Sequence, residues 1–228
     1  MIHYFSKRLF VAVFIMLLST VAMAGNKKIG ILVFDGVLSS DVTAPLEVFG
    51  IANKQAWFKG YEVVTIGIKD TKTIETEEGL TIGVDNWIGD EIELNALVVP
   101  SSYKMEPLLK NEKLIKFIKK TDTSAELLMS NCSGATLLAQ SGILNGKKAT
   151  TWAGGEKEMQ KKFPKVKVKS DVNVVIDGKY LTSNGSVVSY EAALLGLAKM
   201  SSAKDAKEVF ETLQMGRVTS WERIEKLL

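Results

Sequence analysis

The chain is poor in the residues that most often build cysteine–histidine chemistry and metal sites. Among its 228 residues are one cysteine and one histidine, with only four prolines to break regular structure. The single cysteine, Cys132, excludes an intramolecular disulfide and a structural zinc held by thiolates. The single histidine is His3, at the extreme N-terminus. No sign of charge dominates either. A formal net charge of +3 is too balanced to indicate a nucleic-acid partner.

The first two dozen residues have the composition of a targeting segment. Lys7 and Arg8 form a basic start, Leu9 to Ala24 is apolar and uncharged, and Ala22-Met23-Ala24 is an A-x-A cleavage pattern. The run is short of the roughly 20 apolar residues that span a bilayer. The pattern predicts a signal peptide over residues 1–24, an exported and periplasmic mature chain, and contact with a membrane only during export. The rival reading is an uncleaved N-terminal anchor. Cleavage removes His3, Lys7 and Arg8. The mature chain then has no histidine and a net charge of +1.

From Lys28 onward, apolar strand-like runs alternate with segments of helical spacing. "KIGILVF", "YEVVTIG", "NALVVP" and "AELLMS" read as buried strands, and Val42, Leu46, Phe49 and Ala52 mark one face of a helix. "VNVVIDGKYLTS" reads as a hairpin turning at Asp177-Gly178, Val188 to Met200 as a buried helix, and Ala203 to Leu213 as an amphipathic one. This order predicts a single α/β domain over residues 25–228, with a mostly parallel sheet between helices. Ligands bind such sheets at the carboxyl ends of their strands. "DGVLSSD", "PSSYK" and "NCSGA" fall there.

Cys132 lies in "SNCSGA", between a strand and a helix. Ser130, Ser133, Gly134 and Ala135 supply the small neighbours that a sharp nucleophile-bearing turn requires. The N–H groups opening the helix would favour a thiolate and could hold an oxyanion. The plainer reading is a small buried cysteine in a turn.

"SNCSGATLLAQSGILNGKKATTW" resembles the cysteine elbow of the ThiJ/PfpI superfamily, with its C-[TS]-G-A and G-L-L-x-G-x-x-A-T-T-H patterns. "FDGVLSSDVTAPLEVFGIAN" resembles that superfamily's first strand–helix unit, and "DVNVVIDGKYLTSNGSVVSYEAALLGLAKM" its closing hairpin and helix. The resemblance runs over most of residues 28–200 and implies a flavodoxin-like fold of the class I glutamine amidotransferase type. The nearest branch is similar to isocyanide hydratase and the amidotransferase-like domains of AraC-type regulators. It implies Cys132 as nucleophile and Asp41 as a buried carboxyl that trades a proton with it. It also implies a small-molecule substrate, a homodimer and no cofactor. Asp41 read alone is a helix N-cap. Ser133, Gly134, Ser101 and Ser102 are candidate oxyanion or substrate contacts. Glu47 is a reserve acid, Tyr103 a pocket cap or an exposed ring, and Glu191 a structural or interface residue.

Three departures from the family pattern narrow the chemistry. Trp152 stands where the family has the histidine after A-T-T, so a Cys–His dyad and a histidine metal site are excluded from the mature chain. "PSSYK" replaces the usual P-G-G-x-G, and "QMGRVTSWERIEKLL" lacks the Pro-rich tail of isocyanide hydratases. The expectation is a hydratase- or hydrolase-type enzyme. The alternatives are a cysteine redox sensor or ligand-binding module, and a degenerate member without activity. A lysine-rich stretch, Lys157 to Lys169, is bordered by Glu156 and Glu158 and reads as a solvated helix and edge strand.

Overall fold

The computed structural model describes residues 27–228. The predicted leader lies outside the described residues. The first strand, β1 (Lys27–Val33), is apolar on both faces, and Ile29, Ile31, Leu32 and Val33 are all fully buried. Such a strand belongs in the middle of a sheet covered on both sides. It is flanked by β2 (Tyr61–Gly67) and β6 (Ala96–Val99), both parallel to it. Beyond β6 lie β7 (Leu127–Asn131) and β11 (Tyr180–Ser183), again parallel. The sheet is completed by β5 (Asn86–Trp87) at one edge and antiparallel β10 (Val174–Asp177) at the other. Two small two-stranded sheets stand outside it. They are β3 (Thr73–Glu75) with β4 (Thr81–Gly83), and β8 (Lys148–Ala149) with β9 (Lys167–Val168).

Helices flank the sheet. In one layer α1 (Ser39–Ala52) packs on α6 (Val188–Met200), and α6 on α7 (Ala203–Thr212). The other layer holds α2 (Met105–Leu109), α3 (Glu112–Ser124) and α4 (Ala135–Gln140). The short α5 (Glu156–Lys162) follows β8, and α8 (Trp221–Glu225) closes the described chain. The helix α6 carries apolar residues nearly all round because it is buried nearly all round, from Ala192 to Ala198. Among the described residues no helix is long and apolar enough to cross a membrane.

The strand order 10-11-7-6-1-2-5 reverses direction between β1 and β6. A doubly wound sheet opens its ligand crevice at that reversal, outside the carboxyl ends of the strands. The loops after β1, β6, β7 and β11 all emerge along this edge. The predicted architecture is therefore found, and the loop after β11 joins the three that the sequence singles out.

Candidate active site

Four neighbouring strands each deliver part of one cluster. Cys132 follows β7 with φ at 51°, in the left-handed region that a non-glycine residue rarely enters. The predicted strained elbow is present. A hydrogen bond from Thr151 Oγ1 to the Cys132 carbonyl, at 3.0 Å, helps hold that backbone. Cys132 is partly exposed, and the neighbouring Ser101 and Ser133 hydroxyls donate to Asp41 Oδ2 and to the Ser102 carbonyl.

Asp41 is fully buried beside it. It is not the helix N-cap. The helix begins two residues earlier, at Ser39, because the Glu78 carboxylate from beyond β3 accepts the Ser39 N–H at 2.9 Å. Asp41 is thereby turned inward, where its two oxygens accept four hydrogen bonds. Oδ2 takes the Ser101 N–H at 3.2 Å and, in a shorter contact, the Ser101 hydroxyl. Oδ1 takes the Ser186 N–H and the Ser189 hydroxyl, each at 2.9 Å.

The backbone of Asp41 is anchored as well. Pro45 stands four residues on and has no N–H, so the Asp41 carbonyl has no partner within the helix. The Asn131 side-chain amide donates to it at 3.1 Å, and the Asn131 oxygen accepts the Ser183 hydroxyl at 2.7 Å. One asparagine thus ties the first helix, the cysteine strand and β11 together.

Gly185 sits between cysteine and carboxyl. It has φ at 76°, and a β-carbon there would lie 2.4 Å from Cys132 Cβ and 2.9 Å from Asp41 Oδ1. No larger residue fits. Gly134 plays a similar part under the elbow, its α-carbon packed against the backbone carbonyls of Val99 and Pro100.

Burial pushes the Asp41 carboxyl up from its ordinary value, while the hydrogen bonds from Ser101, Ser186 and Ser189 act against that rise. Burial also pushes the Cys132 thiol up. The Ser101 donor opposes this, the Asp41 charge adds to it, and Ser133 opposes it again. The net direction is upward for both groups, opposite to the push that a helix N-terminus would give the thiol. The helix behind the elbow, Ala135–Gln140, is only six residues long, and burial beside a carboxyl outweighs the donors it and its neighbours supply.

The remaining candidates separate cleanly. The Ser101 N–H is engaged by Asp41 and is not left pointing at a substrate oxygen, contrary to the oxyanion role expected of it. Ser102 is buried; its carbonyl accepts the Ser133 hydroxyl at 3.2 Å and its own hydroxyl accepts the Lys104 N–H. Glu47 lies on the exposed side of α1 and accepts the Tyr190 hydroxyl at 2.6 Å, outside the carboxyl cluster. Tyr103 is 76% exposed and does not close a pocket. Glu191 is buried and accepts from Asn173 at 3.1 Å. Trp152 lies over Gly155 and, with Ser133, Thr136 and Met159, lines a cavity of about 70 Å³ beside the elbow. An indole therefore fills the family's histidine position. Ser186, Ser189, Gly185 and Asn131 were not singled out from sequence. For the first three the signal is "SNGSVVS", a glycine and three serines at the carboxyl end of a parallel strand, whereas Asn131 stands in "SNCSGA" itself.

Residues 27–198 match the model of the DJ-1/PfpI family. The isonitrile hydratase of Pseudomonas putida is 29% identical over 168 residues, covering 73% of this chain and 69% of that protein. A deglycase of Pyrococcus abyssi is 29% identical over 128 residues, 55% of this chain and 74% of the relative. Among solved structures, Drosophila melanogaster DJ-1beta superposes with a TM-score of 0.73 at 18% identity, over 83% of this chain and 98% of the other. A ThiJ/PfpI family protein from Pseudomonas syringae gives 0.73 at 20% identity, over 86% and 78%. With its parallel sheet and its cysteine elbow in the strand–helix turn, the chain belongs to the DJ-1/PfpI family.

Proposed function

We propose that this protein is a small-molecule enzyme in which Cys132 adds to an electrophilic carbon and Asp41 handles the proton. The observation that carries the proposal is the approach of a strained cysteine and a fully buried carboxyl across Gly185. A buried carboxyl held by four donors is a fixed proton acceptor, and a thiol at a sharp turn is an exposed nucleophile. In the proposed reaction the S–H bond breaks as the sulfur–carbon bond forms. The proton passes to Asp41 and from there to the attacked carbon; water then adds to that carbon with one of its protons going to nitrogen, and its other proton passes through Asp41 to the departing sulfur as the carbonyl forms, which restores the thiol.

An isocyanide is the favoured substrate class. Sulfur addition to its terminal carbon gives a thioimidate, and hydrolysis gives an N-substituted formamide. The name of the Pseudomonas putida relative supports this choice, and the absence of any histidine from residues 25–228 argues against Cys–His hydrolysis. The test incubates residues 25–228 with an aryl isocyanide and follows formamide by chromatography, with intact mass used to find the adduct. Many moles of formamide per mole of protein are expected. No product above the protein-free rate, with isocyanides or with reactive dicarbonyls, overturns the reading.

The leader supports export to the periplasm, and the family resemblance supports a homodimer. N-terminal sequencing of the protein recovered from a periplasmic fraction is expected to begin at Gly25. A start at Met1 in the membrane fraction would favour the anchor. Light scattering on the same material reads the mass of the dimer.

A further inference from the structure

A cavity of about 490 Å³ lies between α3 and the segment that leads from β5 into β6. Leu94 stands two residues before β6, and Thr121 and Ser124 shortly before β7, so the cavity is at the amino ends of these strands. The cysteine elbow follows the carboxyl ends of the same strands, roughly 15 Å away. The cavity wall is apolar. Trp87, Ile88, Ile92 and Leu94 meet Phe117 of α3 across it. The wall is also fixed. The Trp87 N–H donates to Asp90 Oδ2 at 2.9 Å, and a β-carbon at Gly89 would come within 2.3 Å of the indole ring. That turn engages the Asp90 carboxylate and leaves Glu93 as the other acid on the lining. Lys113, Lys116 and Lys120 stand over the opening, three and four residues apart on one face of α3. All three are exposed, and none of them is ion-paired among the described residues.

We propose that this cavity is a binding site for a free amphipathic organic anion, of which a medium-chain carboxylate is the simplest. An apolar cleft under a row of unpaired cations is the complement of an apolar body with an anionic head. The body leaves water for the surface made by Trp87, Ile92 and Phe117, which supplies most of the affinity. The head meets the lysine row. Each ammonium is a mobile point charge, so the row selects the sign of the head rather than its detailed shape. A concave site of this size, walled on two sides, favours a single small molecule over a flat lipid surface. The site is separate from the chemistry proposed at Cys132 and stands independently of it.

The test titrates the chain from residue 25 with sodium decanoate below its micellar concentration, by calorimetry and by tryptophan fluorescence. Saturable one-to-one binding is expected, and Trp87→Phe should remove the fluorescence change while keeping the heat. Octanoate and dodecanoate give the length dependence, each pair of added methylenes tightening Kd by about tenfold. Lys116→Gln with Lys120→Gln should weaken decanoate about fivefold and remove most of its salt dependence. Decyltrimethylammonium, of equal chain and opposite charge, should bind about tenfold more weakly than decanoate in the wild type. Absence of saturable binding, equal affinity for the two amphiphiles, or decanoate binding unmoved in the double lysine variant overturns the proposal. Two other occupants are read by separate arms. Capture on phosphatidylglycerol vesicles without binding of free decanoate would assign the lysines to a lipid surface. A molecular mass halved by Ile88→Asp would assign the apolar wall to a second copy of the chain. Either result overturns the small-molecule site.

Discussion

Cys132→Ala is expected to abolish formamide production, by at least about a thousandfold, in a protein that unfolds at the wild-type urea concentration. Asp41→Asn is expected to lose about 10²- to 10⁴-fold in turnover for a different reason, and the two are told apart by thiol reactivity. The Asp41 charge raises the Cys132 pKa. Removing that charge lowers it, so more thiolate is present at pH 7, and alkylation there should quicken by something on the order of tenfold. A more reactive cysteine in a less active enzyme is the signature of a lost proton acceptor. Slower alkylation in Asp41→Asn would show that the carboxyl promotes the thiolate at rest, and the assigned direction of proton flow would fail.

Gly134→Ala is expected to be among the most destabilising single-methyl changes in the molecule. The backbone at Gly134 is helical, with φ at −55° and ψ at −28°, so alanine meets no conformational penalty. What it meets is the Val99 carbonyl oxygen 2.2 Å from the new carbon and the Pro100 carbonyl oxygen at 2.8 Å. Neither atom is the tip of a flexible side chain. Val99 is paired in register with Ser130 in the middle of the sheet. The clash can be relieved only by lifting the elbow off β6, which costs about 3 kcal/mol or more and separates Cys132 from Ser101. Urea denaturation reads the first effect and alkylation the second. Gly50→Ala is the control. It lies within α1 with nothing within 4 Å of the added carbon, and it should leave stability unchanged or raise it by up to about 1 kcal/mol. Equal midpoints for the two variants would refute the packing argument.

The alternation of strands and helices was legible because every parallel strand is buried on both faces and so reads as an unbroken apolar run. Cys132 and Asp41 were legible for a related reason, since each sits just past such a run. The hydrogen bonds that connect them were not. Ser101 reads as a backbone donor to substrate, and only the fold shows that its N–H and its hydroxyl are both taken by Asp41. Ser186 and Ser189 come from a loop whose arrival at the site depends on β11 lying beside β7, a pairing that periodicity does not reveal. Pro45 and Asn131 are 86 residues apart, and the carbonyl that one leaves open and the other fills belongs to a third residue. The short α8 beyond Leu213 escaped a periodicity argument altogether. It is recognisable only through Trp221, which is buried edge-on against Phe210 with ring centroids 5.6 Å apart.

The partners of Asp41 lie 60, 145 and 148 positions further along the chain. None can reach it by local folding, and closing loops of that length is the slow part of building a structure. A chain that has folded β1, β6 and β7 but not yet docked β11 and α6 leaves the carboxyl open to water and ionised, and the thiol without its neighbour across Gly185. Reactivity at Cys132 is therefore an order-of-events marker. Its native alkylation profile should appear only with the last cooperative step of refolding, which makes the cysteine a built-in clock for completion of the fold.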